Sequence, residues 1–317
     1  MCIIIHMKTN PAFSYSLLLP RFWLIWLGAG ILYILVLLPY PIIYYLGTHI
    51  GRIIKYFISK RIYVIRRNLE LCFPGLTNKE YQNLLQKNCE SIGMGILETG
   101  MAWFWSEYRI KRWFKINGLK NIIQARKNNT GVLLIGIHFL TLELGARVFG
   151  ILNPGIGVYR PHNNPLLDWL QTRGRLKSNK TMINRSNIKK IITALKKGEI
   201  IWYAPDHDYG NKNSIFVPFF AVPKSASTIG TYILTKIASP AIIPFVPRRL
   251  PNALGYELLI FPNQSNNVPS ENLFTTIQHI NKLIEQIILI APDQYMWLHR
   301  RFKTRPIGGD SLYHNIN

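Results

Sequence analysis

A long uncharged, apolar stretch near the N-terminus constrains the fold of this chain more than any other feature. Between Arg21 and Arg52 no residue carries a formal charge, apart from His49, which can bind a proton. The stretch begins with the apolar run Phe22–Leu38, and twenty-odd such residues in a helix span ~30 Å, the thickness of a bilayer core. We therefore predict a transmembrane anchor over residues 22–46. A buried core helix of a soluble protein is the alternative.

Two prolines, Pro39 and Pro41, lie inside this stretch. Because proline lacks a backbone N–H and clashes with the preceding turn, they would kink or end the helix. A short span followed by an interfacial segment therefore stays open. A cleaved signal peptide is disfavoured, since the apolar part is too long and no small-residue cleavage site follows it. Residues 1–21 then form a short segment before the anchor.

The basic residues around the anchor predict its orientation. Before it stand only Lys8 and Arg21. After it, six cations fall within sixteen residues: Arg52, Lys55, Lys60, Arg61, Arg66 and Arg67. By the positive-inside rule the N-terminus lies outside, and the remaining domain, residues 47–317, lies in the cytoplasm.

The overall charge predicts an anionic partner. The chain has 38 Lys plus Arg against 15 Asp plus Glu, a net charge of +23, and only 17% of its residues are charged. Such an excess fits nucleic acid, an anionic membrane, or a phosphorylated or carboxylated substrate. The low charged fraction is unusual for a freely soluble enzyme. Cys2, Cys72 and Cys89 show no paired spacing, so neither a disulfide framework nor a zinc site is indicated.

Beyond residue 76 the pattern becomes globular and alternates between strands and helices. A capping box at Thr77–Glu80 begins one helix, and Ser186 and Gly198 bound another. Apolar runs predict strands at Gly131–Ile137, Gly157–Pro161, Ile200–Ala204, Ala241–Val246 and Tyr256–Phe261. No repeat or linker divides this region. We predict one α/β domain with a mostly parallel central sheet flanked by helices, whose active groups gather at the strand ends.

The strongest catalytic candidate is His138, placed where the strand Gly131–Ile137 ends. Glu143 follows five positions later. A carboxylate beside a histidine fixes the imidazole tautomer and stabilises the imidazolium, which makes a general base. On one regular helix the two side chains would diverge by about 140°, so the pair needs a turn between them. The alternative is a strand-capping histidine and a solvated glutamate.

Further polar groups follow the other predicted strands. Arg160 ends the next strand, and the triplet Asp206-His207-Asp208 follows the strand Ile200–Ala204. Three adjacent side chains rarely close a metal site, so we predict no metal and assign Asp206 and Asp208 to substrate orientation or loop support. Arg160 is a candidate donor to an oxyanion, and Arg173 a candidate anion-binding residue.

Long motifs across nearly the whole chain resemble the lipid A late acyltransferases of Gram-negative bacteria. They include the segments that carry His138, Glu143, Arg160, Asp206 and Asp208. The motifs are Leu17–Tyr40, Asn68–Pro74, Gly93–Gly95, Glu98–Trp105, Gly136–Arg147, Gly155–Pro161, Tyr203–Gly210 and Gln294–Pro306. The wider superfamily carries the pattern H-x-x-x-x-D, and here Glu143 takes the place of the aspartate.

The resemblance implies a glycerol-phosphate-acyltransferase-like fold and a single-pass inner-membrane enzyme of lipopolysaccharide synthesis. Such an enzyme transfers an acyl chain from acyl carrier protein to the 3-hydroxyl of a primary acyl chain on di-Kdo-lipid IVA. We predict a lauroyl donor, with palmitoleoyl or myristoyl as alternatives. The implied partners are acyl carrier protein, the lipid acceptor and membrane lipids, without nucleic acid. Because a thioester is already activated, no cofactor is expected. The rival hypothesis is a membrane-anchored anion-binding protein without catalysis.

Overall fold

The computed structural model describes residues 11–127, 129–269 and 271–313. Two short 3-10 turns, Tyr15–Leu18 and Pro20–Phe22, lead into four helices. These are α1 (Trp23–Leu37), α2 (Tyr40–Ile54), α3 (Ser59–Cys72) and α4 (Asn78–Phe104). Cys72 and Cys89 are buried free thiols. Cys2 and Lys8 lie outside the described residues.

The predicted anchor over 22–46 is two helices. Helix α1 ends at Leu37, Leu38 is extended (φ −58°, ψ 157°), and Pro39 caps α2. The physical reason is Pro39, whose ring disfavours a helical conformation at the preceding residue. Within the described residues, Pro20–Leu37 is the one stretch long and apolar enough to cross a membrane, and 11% of it is buried. Length and composition alone support that assignment.

Helix α2 packs tightly on α4, and two glycines permit the close approach. A Cβ at Gly51 would lie 2.2 Å from the carbonyl oxygen of Cys89, and one at Gly93 would lie 2.2 Å from that of Gly47. Helix α4 starts at the predicted capping box, with the Thr77 and Glu80 side chains bonded reciprocally. The two helices therefore fix the N-terminal region on the globular domain.

Within the part of the chain that the structure describes, the central sheet has seven strands in the order β1-β9-β8-β2-β5-β3-β4. Strands β2, β3, β4, β5 and β8 run parallel, and β9 pairs antiparallel with β8 and parallel with β1. The predicted mostly parallel α/β sheet is confirmed. The strands are β1 (Phe114–Asn117), β2 (Val132–Ile135), β3 (Ile156–Tyr159), β4 (Thr181–Asn184), β5 (Ile200–Tyr203), β8 (Ala241–Arg249) and β9 (Tyr256–Ile260). A separate hairpin holds β6 (Ser214–Phe219) and β7 (Val222–Thr228).

Seven further α-helices lie in the described residues, and they cover both faces of the sheet. They are α5 (Glu107–Arg112), α6 (Leu119–Ala125), α7 (Leu142–Leu152), α8 (Pro165–Leu176), α9 (Ile188–Lys196), α10 (Gly230–Ala238) and α11 (Leu273–Ile290). One large core cluster joins Val148 of α7 to Val36 of α1, and a second joins Ile191 of α9 to Ile284 of α11. Right-handed crossovers explain this division, because the chain moves one way from β2 to β3 and the other way from β4 to β5. Helix α9 therefore lies on the face opposite α1.

Candidate active site

His138 is held at the carboxyl end of β2 by its own backbone and by its ring. Its N–H donates to Asp206 Oδ2 at 3.0 Å, and its carbonyl accepts from the N–H of Met296 at 2.9 Å. Its Nδ1 lies 2.8 Å from Asp206 Oδ1. A carboxylate at this position selects the tautomer with the proton on Nδ1, which leaves the Nε2 lone pair free to accept a proton.

Asp206 reaches His138 because β5 is the parallel neighbour of β2, so both residues follow adjacent strands at the same sheet edge. The Asp206 side chain is fully buried, whereas that of His138 is 24% exposed. Burial raises the pKa of the Asp206 carboxyl, but the charge and hydrogen bonds of His138 outweigh it and hold that pKa well below its usual range. Asp206 is therefore a fixed anion behind a partly open imidazole.

Glu143 does not make the predicted contact with His138. It stands in the first turn of α7, where both of its oxygens accept from Arg175 Nε at 3.1 Å. The turn through Phe139–Thr141 separates the two side chains, and α8 brings Arg175 to the glutamate instead. The carboxylate that orients His138 is Asp206. A catalytic role for Glu143 stays a prediction, now through Arg175.

Two further imidazoles stack behind His138. The ring centroids of His138 and His207 are 3.4 Å apart with 12° between their planes, and those of His207 and His299 are 4.0 Å apart. Burial, with the adjacent His138, lowers the pKa of His207 to about 2, and burial lowers that of His299 to about 4. Both rings are neutral at pH 7. Sequence reasoning named His207 only as part of a triplet and gave His299 no role.

The cluster His138, Asp206 and His207 has metal-ligand chemistry, since its ligand atoms lie within 4.8 Å of one another. Its geometry fits an ion poorly. The two stacked rings hold their nitrogen lone pairs in nearly parallel planes, which disfavours convergence on one centre, and Asp206 is already engaged by His138.

The other predicted site residues make contacts away from the His138 ring. Asp208 accepts from the N–H groups of Gly210 (2.9 Å) and Thr304 (2.7 Å), so it ties the loop after β5 to the C-terminal segment. The role of Asp208 in loop support stays a prediction. Arg160 is exposed just after β3, and Arg173 lies 5.0 Å from the ring of Trp169 on α8. Neither arginine hydrogen-bonds to His138.

The family model for bacterial lipid A biosynthesis acyltransferases matches residues 10–304. The chain belongs to this family. It is 53% identical over 307 residues to the lipid A biosynthesis lauroyltransferase of Escherichia coli (strain K12), covering 97% of this chain and 100% of that one.

Other relatives in the family carry names for different acyl chains. The lipid A biosynthesis palmitoleoyltransferase of the same organism is 48% identical, covering 95% of this chain and 98% of that one. Its lipid A biosynthesis myristoyltransferase is 25% identical, covering 94% of this chain and 92% of that one. The acyltransferase prediction is confirmed.

Proposed function

We propose that this acyltransferase transfers a lauroyl chain from acyl carrier protein to the 3-hydroxyl of a primary acyl chain on di-Kdo-lipid IVA. The observation that carries the chemistry is the His138–Asp206 pair at 2.8 Å. The identity of 53% to a lauroyltransferase favours a lauroyl donor, and the 48% identity to a palmitoleoyltransferase makes palmitoleoyl the second candidate. A myristoyl donor is supported only by a relative at 25% identity.

In the proposed reaction, Nε2 of His138 takes the proton of the acceptor hydroxyl as its oxygen attacks the thioester carbonyl. Asp206 stabilises the imidazolium that forms, without itself taking a proton. The tetrahedral intermediate collapses to the new ester and releases the carrier thiolate. The imidazolium then returns its proton to that thiolate, so the site ends as it began. Because the thioester is already activated, the reaction requires no cofactor or metal.

The proposed roles of the other candidate residues follow from charge and position. Arg160, exposed beyond β3, is the candidate donor to the oxyanion. Arg173 is a candidate for binding an acceptor phosphate or Kdo carboxylate. Glu143 holds the Arg175 guanidinium through two oxygens, which makes it a positioning residue in this mechanism. Asp208 supports the loop that presents Asp206.

We place the protein in the inner membrane with one span at Pro20–Leu37, the N-terminus outside and residues 47–317 in the cytoplasm. The exposed apolar side chains of α1 support this placement. On α2, Ile42, Tyr45 and Ile53 are 51%, 55% and 58% exposed, which favours an interfacial position for this second helix. In this placement, lipid substrates reach the site from the membrane.

The decisive test is acyl transfer from lauroyl, palmitoleoyl and myristoyl acyl carrier protein to di-Kdo-lipid IVA. Wild type is compared in detergent with His138→Ala and with His138→Gln, which keeps a polar side chain but no base. We expect wild type to prefer the lauroyl donor and both variants to lose roughly 10²–10⁴-fold in kcat while remaining folded.

The outcomes separate the hypotheses. Wild-type activity in a folded His138→Ala variant contradicts the proposed base. Preference for another donor corrects the chain length alone. No transfer from any donor, with tight binding of anionic lipid retained, favours the anion-binding protein without catalysis.

A further inference from the structure

We infer that the first turn of α9, with Arg185 before it, is the docking surface for the acidic carrier protein that delivers the acyl thioester. This inference rests on the proposed function and adds the place where the donor binds. The docking surface consists of Arg185, Lys189 and Lys190, all exposed.

All charged side chains in the segment that carries the docking surface are positive. Between Asp168 and Glu199 there are nine Lys or Arg and no Asp or Glu. Glu199 itself is paired with Lys180 at 2.6 Å. In the described part of the chain, the Lys189 and Lys190 side chains have no hydrogen-bond or ion-pair partner. Their charge is therefore available to an anionic partner.

The two lysines also oppose the stability of their own helix. They occupy the first turn of α9, which has no acidic residue, and Asn187 caps it by accepting from the N–H of Lys190. The positive end of the helix dipole favours acids at this position and disfavours cations. Helix stability does not explain two lysines here, whereas binding of an acidic protein does.

The surface adjoins the candidate site. Arg185 directly follows β4, and its backbone N–H donates to the Tyr159 carbonyl at the end of β3. Its guanidinium lies 5.0 Å from the ring of Tyr209, in the loop after β5 that also carries Asp206. A carrier protein bound here would hold the group that bears its acyl thioester near the carboxyl ends of the strands, where His138 also lies.

The position in the fold favours a soluble protein over the membrane. Helix α9 packs in the core cluster that contains Ile284, whereas the spanning helix α1 packs in the cluster on the other face of the sheet, with Val148. The exposed lysines of α9 therefore belong to a helix on the face of the sheet opposite the one on which α1 packs. A soluble acidic partner reaches this face directly.

The test compares two charge-reversed pairs in the full-length protein. The docking variant is Lys189→Glu/Lys190→Glu. The control is Lys120→Glu/Lys127→Glu, which makes the same charge change at exposed positions in and just after α6. Helix α6 follows β1, the outermost strand on the side of the sheet opposite β4. Transfer is measured from acyl carrier protein and from acyl-pantetheine, a small neutral thioester.

We expect the docking variant to raise KM for acyl carrier protein roughly tenfold and to weaken its dependence on salt. Its kcat at saturation, and its kinetics with acyl-pantetheine, should match wild type. Because glutamates suit the first turn of a helix, the melting temperature should not fall. The control should keep the wild-type KM.

Several results would overturn the inference. One is an unchanged KM for the carrier protein in the docking variant, and another is an equal rise of that KM in the control variant. A third is a loss of activity seen only in nanodiscs that contain phosphatidylglycerol, which would assign the lysines to the membrane. If wild type transfers from neither donor, the proposed function fails. Docking is then decided by titrating unacylated carrier protein onto wild type and both variants, where equal affinities reject it.

Discussion

The ring nitrogen Nδ1 of His138 lies 2.8 Å from Oδ1 of Asp206, a residue 68 positions later in the chain. The nearer acid, Glu143, is bound to Arg175. The carboxylate that orients the base is thus supplied by the neighbouring strand, and this arrangement yields specific predictions.

Asp206→Asn should lower kcat by roughly 10²–10⁴-fold with a small change in KM. The amide keeps the volume but loses the negative charge that stabilises the His138 imidazolium and selects its tautomer. Steady-state transfer with lauroyl acyl carrier protein measures both constants. A variant that is folded and retains more than a third of wild-type kcat would remove Asp206 from the mechanism.

Glu143→Gln tests whether the glutamate acts through Arg175. The amide loses the charged bonds to the guanidinium, so we expect a several-fold rise in KM for the lipid acceptor and a smaller fall in kcat than in Asp206→Asn. The pH profile of kcat should keep its wild-type shape, because His138 keeps its own carboxylate. A shifted profile would instead show direct coupling of Glu143 to the base.

His207 should make the protein less stable as the pH falls. Its pKa is lowered to about 2 in the folded protein, by burial first, against roughly 6.5 when unfolded. Between these values the unfolded state binds the extra proton, so the free energy of unfolding decreases as pH drops below about 6.5. His207→Phe keeps a stacked ring without that proton site. Its melting temperature should therefore fall less than that of wild type between pH 7 and pH 5, and an equal fall would argue against this linkage.

Glu98→Gln should destabilise the fold by about 3–5 kcal/mol, because it leaves a buried guanidinium without its counter-charge. Glu98 Oε1 lies 3.2 Å from Arg249 Nη1, and the two side chains are 0% and 6% exposed. The backbone N–H of Arg249 also donates to the side-chain oxygen of Gln294. The backbone carbonyl of Gln294 in turn accepts from the N–H of Leu140, two residues after His138.

The control for this prediction is Glu257→Gln, which breaks the more exposed pair with Arg248 and should cost at most about 1 kcal/mol. Denaturant unfolding in detergent compares the two variants. Equal losses would mean that burial does not set the strength of the Glu98–Arg249 pair.

Gly93→Ala should separate α2 from α4, because its Cβ would lie 2.2 Å from the Gly47 carbonyl oxygen. A backbone atom cannot move away without displacing the whole helix. We expect a loss of about 1–3 kcal/mol, as for other overpacked contacts. Gly30→Ala on α1 is the matched control, since nothing lies within 4 Å of its added Cβ. Thermal melts of both variants test this, and a stable Gly93→Ala protein would contradict the close packing.

Local patterns predicted much of the fold. The capping box at Thr77–Glu80 starts α4 as expected, and the apolar run after Gly131 is the buried strand β2 with His138 just beyond its end. These predictions succeed because capping and strand burial depend on residues adjacent in the chain. The sequence left open whether the helix of the predicted anchor continues past Pro39, and the structure shows that α1 ends before it. How α2 then packs depends on glycines on both α2 and α4.

The amino-acid sequence by itself determined the family, the apolar N-terminal helix, the parallel α/β class and the histidine at a strand end. Only the tertiary structure decided that Asp206 pairs with His138, that Glu143 pairs with Arg175, and that three imidazoles stack together. Strand order decides which distant residues share a sheet edge, and spacing along the chain carries no record of that order. Sequence neighbours such as His138 and Glu143 are therefore separated by one turn, while residues from adjacent parallel strands meet.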